Sequence, residues 1–118
     1  MTFPTVRIIS CQQLFDLSRH KSVELIDVRS LEEFAEVRAS LARNVPIDAL
    51  DPQALLSGRS ASADEPLYFI CKMGGRSEMA CHLLRAAGFT NVVNVEGGTD
   101  AWVAAGLPVI EPPASTDR

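Results

Sequence analysis

Residues 67–77 read LYFICKMGGRS, an apolar run followed by a polar loop that contains two adjacent glycines. The first four residues are continuously apolar and too few for a helix, so they predict a strand buried on both faces. From Ser77 onward, apolar residues recur at helical spacing until Gly88. The stretch therefore predicts a strand, a tight loop and a helix over residues 77–87, which is the repeating unit of an α/β fold.

The same alternation extends along the chain in both directions. Strands are predicted over residues 6–9, 23–28, 67–70 and 92–95, with a short extended piece ending at 44–46, and helices over 11–19, 31–38, 53–56, 77–87 and 99–105. Short strands that alternate with helices predict a three-layer α/β sandwich, whose mainly parallel sheet has about five strands and helices on both faces. Such sheets carry reactive groups beyond the carboxyl ends of their strands, where Cys71 stands.

Length and composition predict one folded domain. The chain has 118 residues, of which 47% are hydrophobic and 22% charged, values that argue against disorder. We expect residues 1–110 to form a single domain. Residues 111–118 are rich in proline and polar side chains and are expected to form a loose tail.

Charge and cysteine usage restrict the class of function. The net charge of −4 argues against a nucleic-acid binder. No apolar stretch approaches the ~20 residues of a membrane span, and the N-terminus shows no signal peptide, so we expect a cytoplasmic protein without membrane contact. Cysteines stand at positions 11, 71 and 81, an odd number that favours a reactive thiol over a disulfide framework.

The loop after Cys71 has the composition of a site that ionises a thiol. Gly74 and Gly75 allow successive N–H groups to turn inward, and the following helix adds partial positive charge at its N-terminus. Lys72 and Arg76 add cations, and Lys72 and Met73 are expected to face the entrance. Such surroundings lower a cysteine pKa from about 8.5 to between about 3.5 and 7.5. The alternative is a small buried structural cysteine at the end of a strand.

The remaining cysteines and histidines favour structural interpretations. Cys81 lies within the predicted helix and Cys11 is distant in sequence, so both are expected to be structural, with Cys81 as a resolving thiol the alternative. His82 follows Glu78 by four residues and is expected to form a surface pair. With His20 at the end of a helix, the two histidines give no metal-ligand pattern and no Cys–His pair.

Several motifs in order resemble the rhodanese-like family of single-domain sulfurtransferases. The family's nucleophile loop, a cysteine and an arginine separated by four residues, is matched by Cys71–Arg76. The other matches are Leu25–Arg29 with Glu33-Phe34, Asn44-Val45-Pro46, Gly97-Gly98, Trp102 and Gly106–Val109. One segment departs from the pattern: Val37, Arg38 and Ala39 stand where the family usually has Gly-His-Ile, in a wall of the site.

The resemblance implies sulfur transfer through a persulfide on Cys71, without metal or organic cofactor. A small anion such as thiosulfate would be the donor, and cyanide, a thiol or a protein would be the acceptor. The loop residues Lys72, Met73, Gly74, Gly75 and Arg76 would bind the persulfide and the substrate. Asp27 and Arg29 would support the site from the neighbouring strand, with an ordinary ion pair at a strand end as the alternative.

Two other functions remain open at this point. A persulfide carrier or protein-binding module would keep the loop but turn over thiosulfate slowly. A cysteine-dependent phosphatase of related fold is disfavoured, since such loops place five residues between cysteine and arginine and this chain places four.

Overall fold

The computed structural model describes residues 5–59 and 62–112. Its strands are β1 (Arg7–Ile9), β2 (Glu24–Asp27), β3 (Arg38–Ala39), β4 (Ala42–Asn44), β5 (Leu67–Ile70), β6 (Val92–Val95) and β7 (Val109–Ile110). Its α-helices are α1 (Cys11–Ser18), α2 (Leu31–Glu36), α3 (Pro52–Ser57), α4 (Gly75–Ala86) and α5 (Gly98–Ala104), and a 3-10 helix covers Ile47–Ala49. The tail predicted over residues 111–118 lies outside the described residues from position 113 onward.

Five strands form the central sheet in the order β1-β6-β5-β2-β4, and every neighbouring pair is parallel. The middle strand is β5, and all four of its residues are buried. A strand covered on both faces has no solvent side, which explains its continuous apolar sequence. The predicted mainly parallel α/β sheet of about five strands is confirmed.

Helices cover both faces of this sheet and give two apolar cores. Phe69 faces the side where Leu84 of α4 is buried. Ile70 faces the opposite side, where Leu14 of α1 and Trp102 of α5 are buried. Successive side chains of a strand point to opposite faces, so the four apolar residues of β5 serve both cores. Among residues 5–59 and 62–112, no helix is long and apolar enough to cross a membrane.

A second, two-stranded sheet has no counterpart in the sequence prediction. β3 and β7 pair antiparallel, with Arg38 opposite Ile110 and Ala39 opposite Val109. Strands of two residues show no measurable period, so hydrophobic patterning does not reveal them. Ala39 is fully buried, and the Arg38 guanidinium lies 4.5 Å from the centre of the Phe34 ring. The segment that departs from the family pattern is thus fixed to the C-terminal end of the fold.

Helix α4 begins two residues earlier than the sequence predicts. Gly74 precedes it with a φ of 126°, a backbone conformation that residues other than glycine rarely adopt. The chain therefore turns directly from the loop into the helix at Gly75. As a result, Arg76 belongs to the first helical turn rather than to the loop.

Candidate active site

Cys71 directly follows β5, at the carboxyl edge of the sheet and beside the N-terminus of α4. The backbone N–H of Gly74 donates a hydrogen bond to Cys71 Sγ at 3.0 Å. The hydroxyl oxygen of Ser77 lies 3.3 Å from the same sulfur. The loop is therefore curled inward, and a main-chain amide and the first turn of a helix both face the sulfur atom.

These contacts give Cys71 a lower pKa than the other two cysteines have. Burial tends to raise the pKa of Cys71, but hydrogen bonds from the Ser77 side chain and from the backbone of Ser77, Gly74 and Met73 lower it, and the net pKa lies below its usual value. Burial raises the pKa of Cys11, and it raises that of Cys81 to about 12. Of the three cysteines, all described, Cys71 is the one with a lowered pKa.

The sulfur is less open to solvent than the sequence prediction of a thiol in an anion-holding pocket implies. Cys71 is only 1% exposed, and it does not line the cavity of about 420 Å³ beside the loop, whose walls come from α2, Lys72 and α5. Met73, at the outside of the loop, is 71% exposed. Gly74 and Ser77 both contact the sulfur, and Ser77 is itself fully buried. A reagent therefore reaches Cys71 only after a local movement.

The N-terminus of α5 holds the loop from the other side. Thr99 donates two hydrogen bonds to the carbonyl oxygen of Cys71, from its backbone N–H at 2.7 Å and from Oγ1 at 2.9 Å. The backbone N–H of Asp100 donates to the carbonyl oxygen of Lys72 at 3.1 Å. The sequence prediction of Thr99 as the N-cap of this helix is two residues late, because Gly97 is the N-cap and Thr99 lies in the first turn.

Arg76 forms a bidentate ion pair with Glu33 of α2. Its Nη1 and Nη2 donate to Glu33 Oε1 and Oε2 at 2.7 and 2.9 Å. The Arg76 hydrogen bonds, reinforced by Ser30, lower the pKa of Glu33 to about 2. Sequence reasoning missed this partner: Ser30 and Glu33 do form the predicted capping box, but that spacing does not reveal that the same carboxylate reaches α4.

Lys72 is also paired with a carboxylate. Its Nζ lies 2.9 Å from Oδ2 of Asp100, and both side chains are about half exposed. Glu36 is exposed and lines the same cavity. Both cations that the sequence assigns to the mouth of the site are therefore neutralised, and Glu36 adds a negative charge beside them.

Asp27 and Arg29 form a buried ion pair next to the loop without touching it. Arg29 Nη2 lies 2.8 Å from Asp27 Oδ2, and the same nitrogen donates to the carbonyl oxygen of Val37 at 2.6 Å. Asp27 is opposite Ile70 in the sheet, one residue before Cys71. The pair thus ties the end of β2 to the cavity wall at Val37. It is the ion pair at a strand end that the sequence offered as the alternative, and a supporting role for it stays a prediction.

The two other cysteines are buried, and His82 pairs within its own helix. Cys81 is fully buried, and Cys11 Sγ lies 3.6 Å from the carbonyl oxygen of Gly98, under the start of α5. His82 Nε2 is 3.7 Å from Glu78 on the same helix, the pair that the spacing predicts. Within the described residues, no cluster of three or more His, Cys, Asp or Glu side chains has the arrangement of a metal site.

The lowered pKa predicts selective alkylation of Cys71. A lower pKa places thiolate at lower pH, so the alkylation rate should rise with pH to a plateau whose midpoint lies below that of an ordinary thiol. Iodoacetamide labelling followed by peptide mass mapping at several pH values measures this rate for each cysteine. Cys81 is the internal control, since its thiol stays protonated throughout the range. Equal labelling of Cys71 and Cys81 at neutral pH would contradict the assignment.

Comparison with known proteins adds relatives with the same fold. The Arabidopsis thaliana protein HIGH ARSENIC CONTENT 1, mitochondrial, is 36% identical over 96 residues, covering 75% of this chain and 57% of that protein. A sulfurtransferase of Allochromatium vinosum is 29% identical over 96 residues, covering 81% and 86%. The crystal structure of a rhodanese-related protein from Thermoplasma volcanium superposes with a TM-score of 0.73 at 29% identity, covering 88% of this chain and 97% of that one.

The matches cover most of this chain but differ in how much of each relative they cover. The chain spans just over half the length of the first curated relatives that it matches. The family model for the rhodanese-like domain matches residues 10–105, which include β2, the Cys71 loop, α4 and α5. With the Cys71 loop at the carboxyl edge of a five-stranded parallel sheet and this match over most of its length, the chain belongs to the rhodanese-like domain family.

Proposed function

We propose that this chain is a sulfurtransferase that carries a sulfane sulfur as a persulfide on Cys71. The observation that carries the proposal is the hydrogen bond from the Gly74 N–H to Cys71 Sγ at the N-terminus of α4. An amide and a helix terminus aimed at a sulfur atom favour its charged form. Membership of a sulfurtransferase-containing family supports the same chemistry.

The first half of the reaction loads the sulfur. The Cys71 thiolate attacks the outer sulfur of thiosulfate and forms a new S–S bond. The bond between the two sulfur atoms of thiosulfate breaks, and its electron pair leaves with sulfite. This is the displacement of thiol–disulfide exchange, with sulfite as the leaving group. The product is a persulfide on Cys71, whose terminal sulfur carries the negative charge.

The second half unloads the sulfur. A nucleophile, cyanide or a thiolate, attacks the terminal sulfur, and the S–S bond to Cys71 breaks with its electron pair returning to the Cys71 sulfur. The products are thiocyanate or a new persulfide, together with the original thiolate. Because a covalent intermediate separates the two halves, ping-pong kinetics are expected.

The loop supplies the stabilisation that both halves need. Backbone amides of Met73, Gly74 and Ser77 lower the pKa of Cys71, and they also favour the anionic persulfide. The pKa of Arg76 is raised mainly by its hydrogen bonds to Glu33, and the charge of Cys71 raises it further. Arg76 thus contributes positive potential from within its ion pair. Since Cys71 is 1% exposed, loading requires a local movement that opens the sulfur to the donor.

Intact mass spectrometry tests the proposal directly. Incubation with thiosulfate should add the mass of one sulfur atom, which dithiothreitol or cyanide should remove. Peptide mapping should place this atom on Cys71. A protein whose mass stays unchanged with thiosulfate and also with a low-molecular-weight persulfide would refute a persulfide mechanism.

The ion pairs at the mouth favour a second candidate, a persulfide carrier that accepts sulfur from another thiol. Thiosulfate is a dianion, and both cations of the loop are already bound to carboxylates, Lys72 to Asp100 and Arg76 to Glu33. A persulfide carried on a thiol does not need two free cations for binding. A carrier would load rapidly from a persulfide donor and slowly from thiosulfate.

Asp100→Asn is expected to improve the use of thiosulfate. The change leaves Lys72 without its carboxylate partner and removes one negative charge from the cavity wall. An exposed ion pair is worth roughly 0.2–1 kcal/mol, so the KM for thiosulfate should fall by about 1.5- to 5-fold, less at high salt, while kcat changes little. Steady-state thiocyanate formation over a range of thiosulfate concentrations measures both constants.

Glu65→Gln is the matched control for this change. Glu65 forms a similarly exposed pair with Lys21 at 3.0 Å, but it lies before β5, at the opposite end of the strand from Cys71. Its loss removes the same charge without touching the mouth of the site. An unchanged or higher KM in Asp100→Asn, or an equal fall in Glu65→Gln, would show that the Lys72 pair does not control donor binding.

A further inference from the structure

Asn94 is a buried polar residue of β6 that lies behind the sulfur-binding loop. It is 6% exposed, and its side-chain amide makes two contacts with the loop region. Nδ2 donates to the carbonyl oxygen of Gly74 at 3.2 Å. Oδ1 accepts a hydrogen bond from the hydroxyl of Ser77 at 2.5 Å. Asn94 thus reaches the Cys71 sulfur indirectly, through its hydrogen bond with Ser77.

The orientation of this amide is fixed by its partners. A backbone carbonyl only accepts hydrogen bonds, so the Asn94 nitrogen must face Gly74 and the Asn94 oxygen must face Ser77. Ser77 has a single hydroxyl proton and three acceptors within reach: Asn94 Oδ1 at 2.5 Å, the Gly74 carbonyl at 3.1 Å and Cys71 Sγ at 3.3 Å. The Ser77 and Asn94 oxygens cannot approach to 2.5 Å unless the proton lies between them. The proton therefore points to Asn94.

The position of the Ser77 proton decides whether the Ser77 hydroxyl donates a hydrogen bond to the Cys71 sulfur or accepts one from it. With its proton on the Asn94 side, Ser77 presents a lone pair to Cys71 and accepts a hydrogen bond from the S–H of the neutral thiol. A thiolate has no proton to donate, so ionisation requires the Ser77 hydroxyl to turn toward the sulfur and to give up its bond with Asn94. Asn94 Oδ1, the Gly74 carbonyl and the Cys71 sulfur thus compete for one proton, and Asn94 has the shortest contact.

We propose that Asn94 is a positioning residue that holds the Ser77 proton away from the sulfur of Cys71 until the sulfur becomes charged. The proposal concerns ionisation of the free Cys71 thiol. Only its consequence for catalysis rests on the proposed function. Main-chain amides and the helix N-terminus stabilise the thiolate and lower the pKa of Cys71. Because nucleophilicity falls as thiol pKa falls, a residue that opposes this stabilisation keeps the sulfur reactive.

Other charged side chains lie on the elements around the loop and are left in place by a change at Asn94. Arg76 lies on α4, Glu33 on α2, Asp27 and Arg29 at the end of β2, and Lys72 and Asp100 on the loop and α5. All six belong to ion pairs that do not include Asn94 or Ser77. A shift in thiol ionisation on changing Asn94 therefore comes from the Ser77 proton or from the Gly74 carbonyl that Asn94 also holds, and the double variant with Ser77→Ala separates the two.

The test is the pH profile of Cys71 alkylation in four proteins. Asn94→Ala frees the Ser77 proton for the thiolate, so the midpoint should move to lower pH by about 0.5–1 unit, the equivalent of one hydrogen bond. Ser77→Ala removes that donor, so its midpoint should move to higher pH. In the double variant, the Asn94 change should have no further effect on the midpoint of Ser77→Ala. Peptide mass mapping restricts the measurement to Cys71.

The proposal predicts that the alkylation midpoint moves in opposite directions for Asn94→Ala and Ser77→Ala, and that the Asn94 effect disappears in the double variant. A purely structural role of Asn94 would not produce this pattern. Asn94→Leu keeps the side-chain volume without an acceptor and repeats the test if thermal unfolding shows that the alanine variant is not folded. A midpoint that moves up or stays fixed in a folded Asn94 variant, or an Asn94 effect that persists without Ser77, overturns the proposal. Persulfide formation on Cys71 is a separate readout: its absence refutes the proposed function and leaves the alkylation result standing.

Discussion

Cys71→Ser is expected to reduce sulfur transfer to the rate seen without protein. A serine hydroxyl cannot form a persulfide, so the covalent intermediate is lost rather than weakened. The oxygen can still accept the Gly74 hydrogen bond, and the substitution at a 1% exposed position changes one atom. The variant should therefore fold, which circular dichroism checks. Thiocyanate formation and the mass of the protein after thiosulfate treatment measure the loss.

Cys81→Ala is the control for this prediction. Cys81 is fully buried in α4, and burial raises its pKa to about 12, so it is protonated at every pH used in the assay. Its removal should leave sulfur transfer close to the original rate, and sulfur loading should still map to Cys71. Retained activity in Cys71→Ser together with loss in Cys81→Ala would mean that the nucleophile is the other thiol.

The sequence predicts a strand, a loop or a helix start well where the residues that determine it are close together in the chain. The continuous apolar run of β5 indicates burial on both faces, and the two glycines followed by a helix indicate the tight loop after Cys71. The capping boxes at Ser10 and Ser30 mark the starts of α1 and α2. These features depend on residues within a few positions of one another, which is why hydrophobic period and capping rules find them.

The partners of the site residues could not be predicted in the same way. Glu33 and Arg76 are 43 positions apart, and Thr99 and the carbonyl of Cys71 are 28 apart. Asn94 stands between two valines in a strand whose residues are all buried, and the sequence gives no partner for its side-chain amide. Such contacts follow from the order of the strands in the sheet, which brings β6 and the ends of α2 and α5 beside the loop. The burial of Cys71 arises from the same packing.

Gly98 is where this packing is tightest, and a side chain there should disrupt the site. A Cβ at Gly98 would lie 2.5 Å from the carbonyl oxygen of Lys72 and 2.6 Å from that of Cys71, both of them backbone atoms. The positive φ alone costs alanine roughly 1–2 kcal/mol. The steric conflict adds about 1–3 kcal/mol or displaces the loop. Gly98→Ala should therefore lower the free energy of unfolding and abolish most sulfur transfer.

Gly106→Ala separates the two causes. Gly106 has a φ of 71°, close to the 62° of Gly98, but a Cβ at this position would meet no atom of a non-adjacent described residue within 4 Å. The variant should lose only the stability that the positive φ costs and should keep its sulfur transfer, because the added methyl group does not reach the loop. Denaturant unfolding and thiocyanate formation compare the two variants. Since Thr99 and Asp100 hold the loop carbonyls that a Gly98 side chain would strike, equal stability and activity in both variants would show that α5 does not position Cys71.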